Sequence, residues 1–113
     1  MNLLGLDTSS RDVSIAVLKD ESLALEYNFI SQDNLSAMLV PSLEFILKAL
    51  GLQIAQIDVF GISLGPGLFT GIRIGMATLK GLAFAERKPV VGVISLKALA
   101  VQACSPFVMK FSD

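Results

Sequence analysis

The sequence predicts an α/β domain with a mixed five-stranded sheet and three helices, in the order βββαβαβα. Two observations predict this fold. Apolar and polar residues alternate with the period of β-strands over roughly the first 30 residues, and the remainder switches between helical periodicity and short apolar runs typical of buried strands. The composition, 53% hydrophobic and 17% charged over 113 residues, is sufficient for a hydrophobic core.

Three strands are predicted in the N-terminal part of the chain, at residues 2–7, 12–19 and 22–30. In the last two, every second side chain is apolar, so that one face of each strand is predicted to be buried. The acidic pair Asp20-Glu21 between them predicts a tight turn. We therefore expect a hairpin that follows a first strand.

The middle of the chain changes to helical spacing, and residues 34–50 are predicted as a helix. Asp33 or Asn34 is suited to cap its start, and Gly51 is suited to end it. Pro41 lies inside this segment, which predicts a late start or a kink near residue 40.

The second half of the chain alternates strands and helices. Residues 57–64 and 89–94 are predicted as buried strands, and residues 69–87 and 96–104 as helices, with Thr70 as a candidate cap of the first of these. Helical crossovers of this kind join parallel strands. The complete order is that of the ribonuclease H-like unit from which actin-like ATPases build each lobe.

The composition excludes several function classes. The net charge of −1 does not favour electrostatically driven nucleic-acid binding. Histidine is absent, which excludes Ser-His-Asp and Cys-His catalysis and histidine-based metal sites within this chain. The longest charge-free run in the apolar middle, residues 59–72, has 14 residues, fewer than the roughly 20 that a membrane span needs. A lone cysteine fits a reducing cytosol, and we expect a cytoplasmic protein.

The segment LDTSSRD at residues 6–12 is a first candidate site. Asp7 ends a predicted strand, and the hydroxyls of Thr8, Ser9 and Ser10 follow in a turn. In ATPases of this fold such a turn wraps phosphates while the aspartate holds a metal through water. The alternative, which the local pattern favours, is an Asx or Ser/Thr turn that satisfies its own backbone.

The segment GPGLFTG at residues 65–71 is a second candidate. It lacks the Lys-Ser or Lys-Thr of a P-loop and the spacing of the dinucleotide-binding fingerprint. Amides at the start of the following helix could attract an anion. The small residues Gly71 and Gly75 lie one turn apart, however, and favour the close approach of another backbone. Arg73 is either an anion ligand, an interface ion-pair partner or a solvated charge.

Three segments together resemble the TsaB (YeaZ) family: LLGLDTSS, GISLGPGLFTGIRIGMATLKGLAFA and PVVGVISLKALA. The resemblance covers residues 2–103, and its middle motif, GPG-x-FTG-x-R-x-G-x-A-x-x-KGLA, is highly specific. Departures are small: the family often has Ser at Leu68 and His-Ser at Leu35-Ser36. The related catalytic subunit TsaD also has a GPGL segment, but it carries a metal-binding His-x-x-x-His where this chain has Ser95 and Leu99.

The resemblance implies a non-catalytic partner subunit in the synthesis of N6-threonylcarbamoyladenosine on tRNA. It implies that the helix at residues 69–86 packs with the first helix in an interface used for self-association or for binding TsaD. The implied interface residues are Leu39, Leu43, Ile46, Gly71, Arg73, Gly75, Met76 and Leu79. On this basis Gly75→Leu is expected to disrupt association and leave the monomer folded.

Further expectations follow from the resemblance. The partners would be a second copy, a TsaD-like subunit and a TsaE-like ATPase, with tRNA contacted only indirectly. No cofactor is expected, and ATP would bind only in the assembled complex. Residues 1–104 would form the N-terminal lobe, and residues 105–113 a tail at the start of a second lobe. The alternatives are an ATP-binding or metal-dependent enzyme of this fold, and an interaction module unrelated to tRNA.

Overall fold

A computed structural model of the chain describes residues 1–93 and 110–111. The elements are β1 Asn2–Asp7, β2 Asp12–Lys19, β3 Ser22–Ile30, α1 Leu35–Leu50, a 3₁₀ turn Ile54–Gln56, β4 Val59–Ser63, α2 Phe69–Glu86, β5 Val90–Val93 and β6 Lys110–Phe111. The predicted α/β fold is confirmed, with all five predicted strands and the first two helices in the expected order. The predicted third helix, at residues 96–104, lies outside the described residues.

The strands form one mixed sheet in the order β3-β2-β1-β4-β5-β6. The hairpin strands β2 and β3 pair antiparallel, β2 pairs antiparallel with β1, and β1, β4 and β5 run parallel. The two-residue strand β6 pairs antiparallel with β5 and was not predicted, because two residues carry no periodicity. The sheet is thus the five predicted strands with one short addition.

Both helices contribute to a single core on one face of the sheet. Leu4 and Leu6 of β1 alternate into this core, together with Phe60 and Ile62 of β4. Strand β3 covers the edge with half-buried side chains at every second position, as its alternating sequence predicts. A second buried cluster lies apart from this core; its members are Leu3, Leu18, Val91 and Val93, with Val59 packed against them.

Helix α1 begins at Leu35 and continues through Pro41, so the predicted late start is not observed. Pro41 is exposed and has no backbone N–H, so the helix forms one backbone hydrogen bond fewer there. Asn34 occupies the N-cap position, but its side-chain oxygen accepts the Gln32 N–H at 3.2 Å and makes no cap hydrogen bond. Gly51 ends the helix in the left-handed region at φ 67°, as predicted.

Helix α2 begins at Phe69, and the prediction of Thr70 as its cap is wrong. The Leu68 N–H donates to the Ser9 carbonyl oxygen at 2.5 Å, which holds Leu68 in an extended conformation at the N-cap position. The helix therefore starts one residue before Thr70.

Four of the predicted interface residues are core residues of this chain. Leu39 and Ile46 are 0% exposed, Leu79 is 0% exposed and Leu43 is 2% exposed. The sheet and the two helices of this chain already bury their side chains, so their burial argues against the assignment to a partner interface, which stays a prediction. Helical spacing identified the apolar face correctly, but that face packs within the chain.

In the part of the chain that the structure describes, neither helix is long and apolar enough to cross a membrane.

The burial of α1 gives a first testable prediction. Leu39→Ala should lower the free energy of unfolding by about 2–5 kcal/mol, because it opens a cavity in the core. Its matched control is Val40→Ala at the next position of the same helix, which is 42% exposed and should change stability by less than about 1 kcal/mol. Urea unfolding followed by circular dichroism measures both. Equal losses would contradict the burial of Leu39.

Candidate functional site

The candidate site forms where the turn after β1 meets the start of α2. Strands β1 and β4 are parallel neighbours, with Leu6 opposite Ile62, so their carboxyl ends lie at the same edge of the sheet. The chain leaves β1 into the turn at residues 8–11 and leaves β4 into the glycine-rich loop at residues 64–68. The two segments singled out in the sequence are therefore brought together by the sheet.

Hydrogen bonds fix the turn to the helix. The Thr8 hydroxyl donates to the Gly71 carbonyl oxygen in the first turn of α2, at 2.6 Å. One residue later, the Ser9 carbonyl oxygen accepts the Leu68 N–H. Thr8 is 0% exposed and Gly71 is half-buried, so this hydrogen bond is partly shielded from water.

The glycines exist at this contact because there is no room for a side chain. A Cβ on Gly67 would overlap the Ser9 carbonyl oxygen, and a Cβ on Gly71 would overlap the Thr8 carbonyl oxygen. A Cβ on Gly75 would overlap the Thr8 hydroxyl. Close approach of another backbone was predicted, but the approaching backbone belongs to the same chain. The expectation that Gly75→Leu leaves a folded monomer stays a prediction, and the overlap with Thr8 argues against it.

Within the turn, the polar side chains are partnered locally. Asp7 Oδ1 accepts the Ser9 N–H at 2.9 Å and also the Ser9 hydroxyl, which is an Asx turn. The Ser10 hydroxyl lies 3.2 Å from both the N–H and the carbonyl oxygen of Asp12. Phosphate binding by residues 7–10 stays a prediction, and the Thr8 and Ser9 hydroxyl donors that it would need are already used within the chain.

A cavity of about 440 Å³ lies beside this contact. Its walls are the turn after β1, the segment between β3 and α1, and the first turns of both helices. Arg11 and Asp33 also line the cavity and form a loose, exposed ion pair, with 3.9 Å between Arg11 Nη2 and Asp33 Oδ1. Sequence reasoning did not predict this cavity, because three distant segments form it.

Two of the predicted interface residues lie at the surface of α2. Arg73 is exposed, and its guanidinium lies 5.6 Å from the centre of the Phe69 ring; Met76 is half-buried. Phe69 and Phe84, which are 72% and 77% exposed, were missed. Their spacing from Arg73 and Met76 places all four on one side of the helix, and this spacing could have identified them. We call these four residues the outer face of α2.

Among residues 1–93 and 110–111, no group of three or more Cys, Asp or Glu side chains is placed to hold a metal ion. Both hydrogen bonds from Ser9 go to Oδ1 of Asp7. The expectation that ATP binds only in an assembled complex stays a prediction.

The fold and the docked turn define a ribonuclease H-like lobe of the actin-like class. A solved Bacteroides thetaiotaomicron protein of actin-like ATPase fold shares only the fold with this chain. The TM-score is 0.57 at 14% identity, and the match covers 92% of this chain and 38% of that one. A far closer structure is YeaZ from Pseudomonas aeruginosa, with a TM-score of 0.78, 33% identity and coverage of 93% of this chain.

The sequence comparisons agree. The family model described as TsaD, tRNA N6-adenosine threonylcarbamoyltransferase, matches residues 29–110. The tRNA threonylcarbamoyladenosine biosynthesis protein TsaB of Haemophilus influenzae is 36% identical over 104 residues, which is 91% of this chain. The chain belongs to this threonylcarbamoyltransferase family, in its TsaB/YeaZ branch, as the sequence motifs indicated. It spans 43% of the Haemophilus protein and 49% of the Pseudomonas chain.

The glycine contact gives a second prediction. Gly71→Ala should lower the free energy of unfolding by about 1–3 kcal/mol, because the new methyl group meets a backbone carbonyl that cannot move aside. Gly81→Ala is the matched control, since a Cβ there meets nothing within 4 Å. It should stabilise the protein by up to about 1 kcal/mol through helix propensity. Thermal unfolding of both variants measures the difference, and stabilisation by Gly71→Ala would disprove the docked contact.

Proposed function

We propose that this chain acts in the synthesis of N6-threonylcarbamoyladenosine on tRNA as a partner subunit that performs no chemical step itself. The names of its relatives and of the matching family model support the pathway. The partner would be a TsaD-type catalytic subunit. The whole-protein role is carried over from relatives about twice as long as this chain.

Two properties of the chain support the non-catalytic part of the proposal. The sequence contains no histidine, so it cannot supply the histidine pair that the resemblance assigns to the TsaD metal site. The hydroxyls of Thr8 and Ser9 donate to groups of the same chain. We propose on this basis that ATP binds only in an assembled complex.

The observation that carries the partner role is the outer face of α2. Two phenylalanines are more than 70% exposed there, beside the half-buried Met76. Exposed aromatic groups on one helix face are typical of protein interfaces, and Arg is also enriched at them. We propose that this face, rather than the buried residues of α1, contacts either a second copy or the TsaD-type subunit.

The remaining partners follow from the same proposal. A TsaE-type ATPase would join the assembled complex, and tRNA would be contacted only indirectly, which is consistent with a net charge of −1. The place of action would be the cytoplasm.

Association should depend on Phe84. Phe84→Ser should weaken binding of the 113-residue chain to a second copy and to the TsaD-type subunit by at least about tenfold, because it removes an exposed aromatic anchor. Size-exclusion chromatography with light scattering, on the chain alone and on the mixture, measures both. The control is Leu23→Ser at the start of β3, which removes a 58% exposed apolar side chain far from α2 in the sequence and should leave association unchanged.

The outcomes separate the rival functions. The partner role is supported if the chain forms a dimer that converts to a mixed complex with the TsaD-type subunit, and if Phe84→Ser weakens both the dimer and the mixed complex. A monomer that does not bind the TsaD-type subunit contradicts it and favours an interaction module unrelated to tRNA. ATP turnover by the purified chain would instead favour the enzyme alternative.

A further inference from the structure

We infer that the outer face of α2 binds an acidic helix of a different subunit and disfavours a second copy of this chain. The inference rests on the proposed function, because it names the kind of surface that meets the same face. Three cations carry it: Arg73, Lys80 and Arg87, which follow one another at intervals of seven residues. We call these three residues the basic stripe.

The basic stripe lies on the same side of α2 as the exposed aromatic groups. Seven residues are close to two turns of an α-helix, so residues at this interval share one side and lie about 10 Å apart. Lys80 is four residues from both Met76 and Phe84, which places it between them on the helix surface. Arg87 follows the last helical residue, at the C-cap. Cations and apolar groups therefore alternate along this side of the helix.

The charges of the basic stripe are not balanced within the part of the chain that the structure describes. Its three side chains are exposed, and none of them forms an ion pair with another described residue. The one acid of α2, Glu86, is half-buried and lies about a third of a turn from Lys80. Helix α1 exposes one acid and one base, Glu44 and Lys48, which leave the balance unchanged. The stripe thus presents three positive charges to an approaching surface.

A second copy of the chain matches this face poorly. A two-fold interface brings the same patch of both subunits together, so the basic stripe of one copy would face that of the other. Like charges placed opposite each other oppose association. The exposed rings of Phe69 and Phe84 still offer apolar area. A homodimer through this face would therefore form best at high salt, where the charges are screened.

A helix with a carboxylate at every seventh position matches the basic stripe. Ion pairs repeat at this interval when two helices pack along their length, and they determine partner choice and orientation. Apolar residues between the carboxylates would contact Phe69, Met76 and Phe84. A phosphate backbone would also attract three cations, but a net charge of −1 does not favour binding driven by phosphates. The charge pattern therefore favours an acidic helix over RNA.

Two designed helical peptides test the charge preference on the 113-residue chain. They share their apolar residues and differ only in carrying Glu or Lys at every seventh position. By fluorescence anisotropy at low salt, we expect the Glu peptide to bind at least about tenfold more tightly than the Lys peptide. Lys80→Glu should weaken binding of the Glu peptide about tenfold. Equal affinities for the two peptides, or no binding of either, would overturn the inference.

The matched control is Lys48→Glu, which makes the same change of charge on α1, outside the basic stripe. It should leave the affinities for both peptides unchanged. If Lys48→Glu weakened binding of the Glu peptide as much as Lys80→Glu does, the preference would reflect the net charge of the chain and the inference would be wrong.

The assemblies themselves give a second readout, in which two effects have opposite signs. Lys80→Glu should weaken the complex with the TsaD-type subunit about tenfold and strengthen the homodimer, because the new carboxylate faces the cations of the second copy. Raising sodium chloride from about 0.05 M to about 0.5 M should likewise weaken the mixed complex and strengthen the homodimer. Analytical ultracentrifugation measures both. A loss of both assemblies in Lys80→Glu would contradict the inference.

The outcomes separate this inference from the proposed function. If the Glu peptide binds and the TsaD-type subunit does not, the proposed function fails and the charge preference stands. If the subunit binds with an affinity that neither salt nor Lys80→Glu changes, the inference fails and the proposed function stands. A tRNA transcript that binds more tightly than the Glu peptide, and loses affinity with Lys80→Glu, would assign the basic stripe to RNA and overturn the inference.

Discussion

The contact between the turn after β1 and the first turn of α2 is the constraint on which the rest of the structure depends. It joins the Thr8 hydroxyl to the Gly71 carbonyl across 63 positions of sequence. Because the turn is fixed to β1 at one end, this contact sets where α2 starts relative to the sheet. The position of the cavity, the burial of Leu79 and the exposure of the outer face all follow from that placement.

The energetic terms explain why glycine stands at these positions. A glycine within a helix costs about 1 kcal/mol relative to alanine, so Gly71 and Gly75 together weaken the isolated helix. One buried hydrogen bond contributes about 1 kcal/mol, which offsets only part of this cost. The remainder must come from packing of the helix on the sheet, through residues such as Leu79 and Ala83. Helix α2 is thus stabilised by its tertiary contacts rather than by its own propensity.

Local periodicity predicted most of the fold but only part of the site. The strands and helices were predictable because each has its own repeat of apolar residues, as in β2 and α1. Periodicity identifies an apolar face without showing what covers it, and for this reason Leu39 was assigned to a partner. The spacing of Gly71 and Gly75 predicted a close backbone, but not that Thr8, far away in the chain, supplies it.

Phe69 belongs to both the cavity and the outer face of α2. It lines the cavity at the start of α2, and its ring also stacks near Arg73 on the outer face. A substitution at Phe69 would therefore change the cavity rim and the outer face of α2 together. Phe84 lies at the other end of the helix and does not line the cavity, so a substitution there changes the outer face alone.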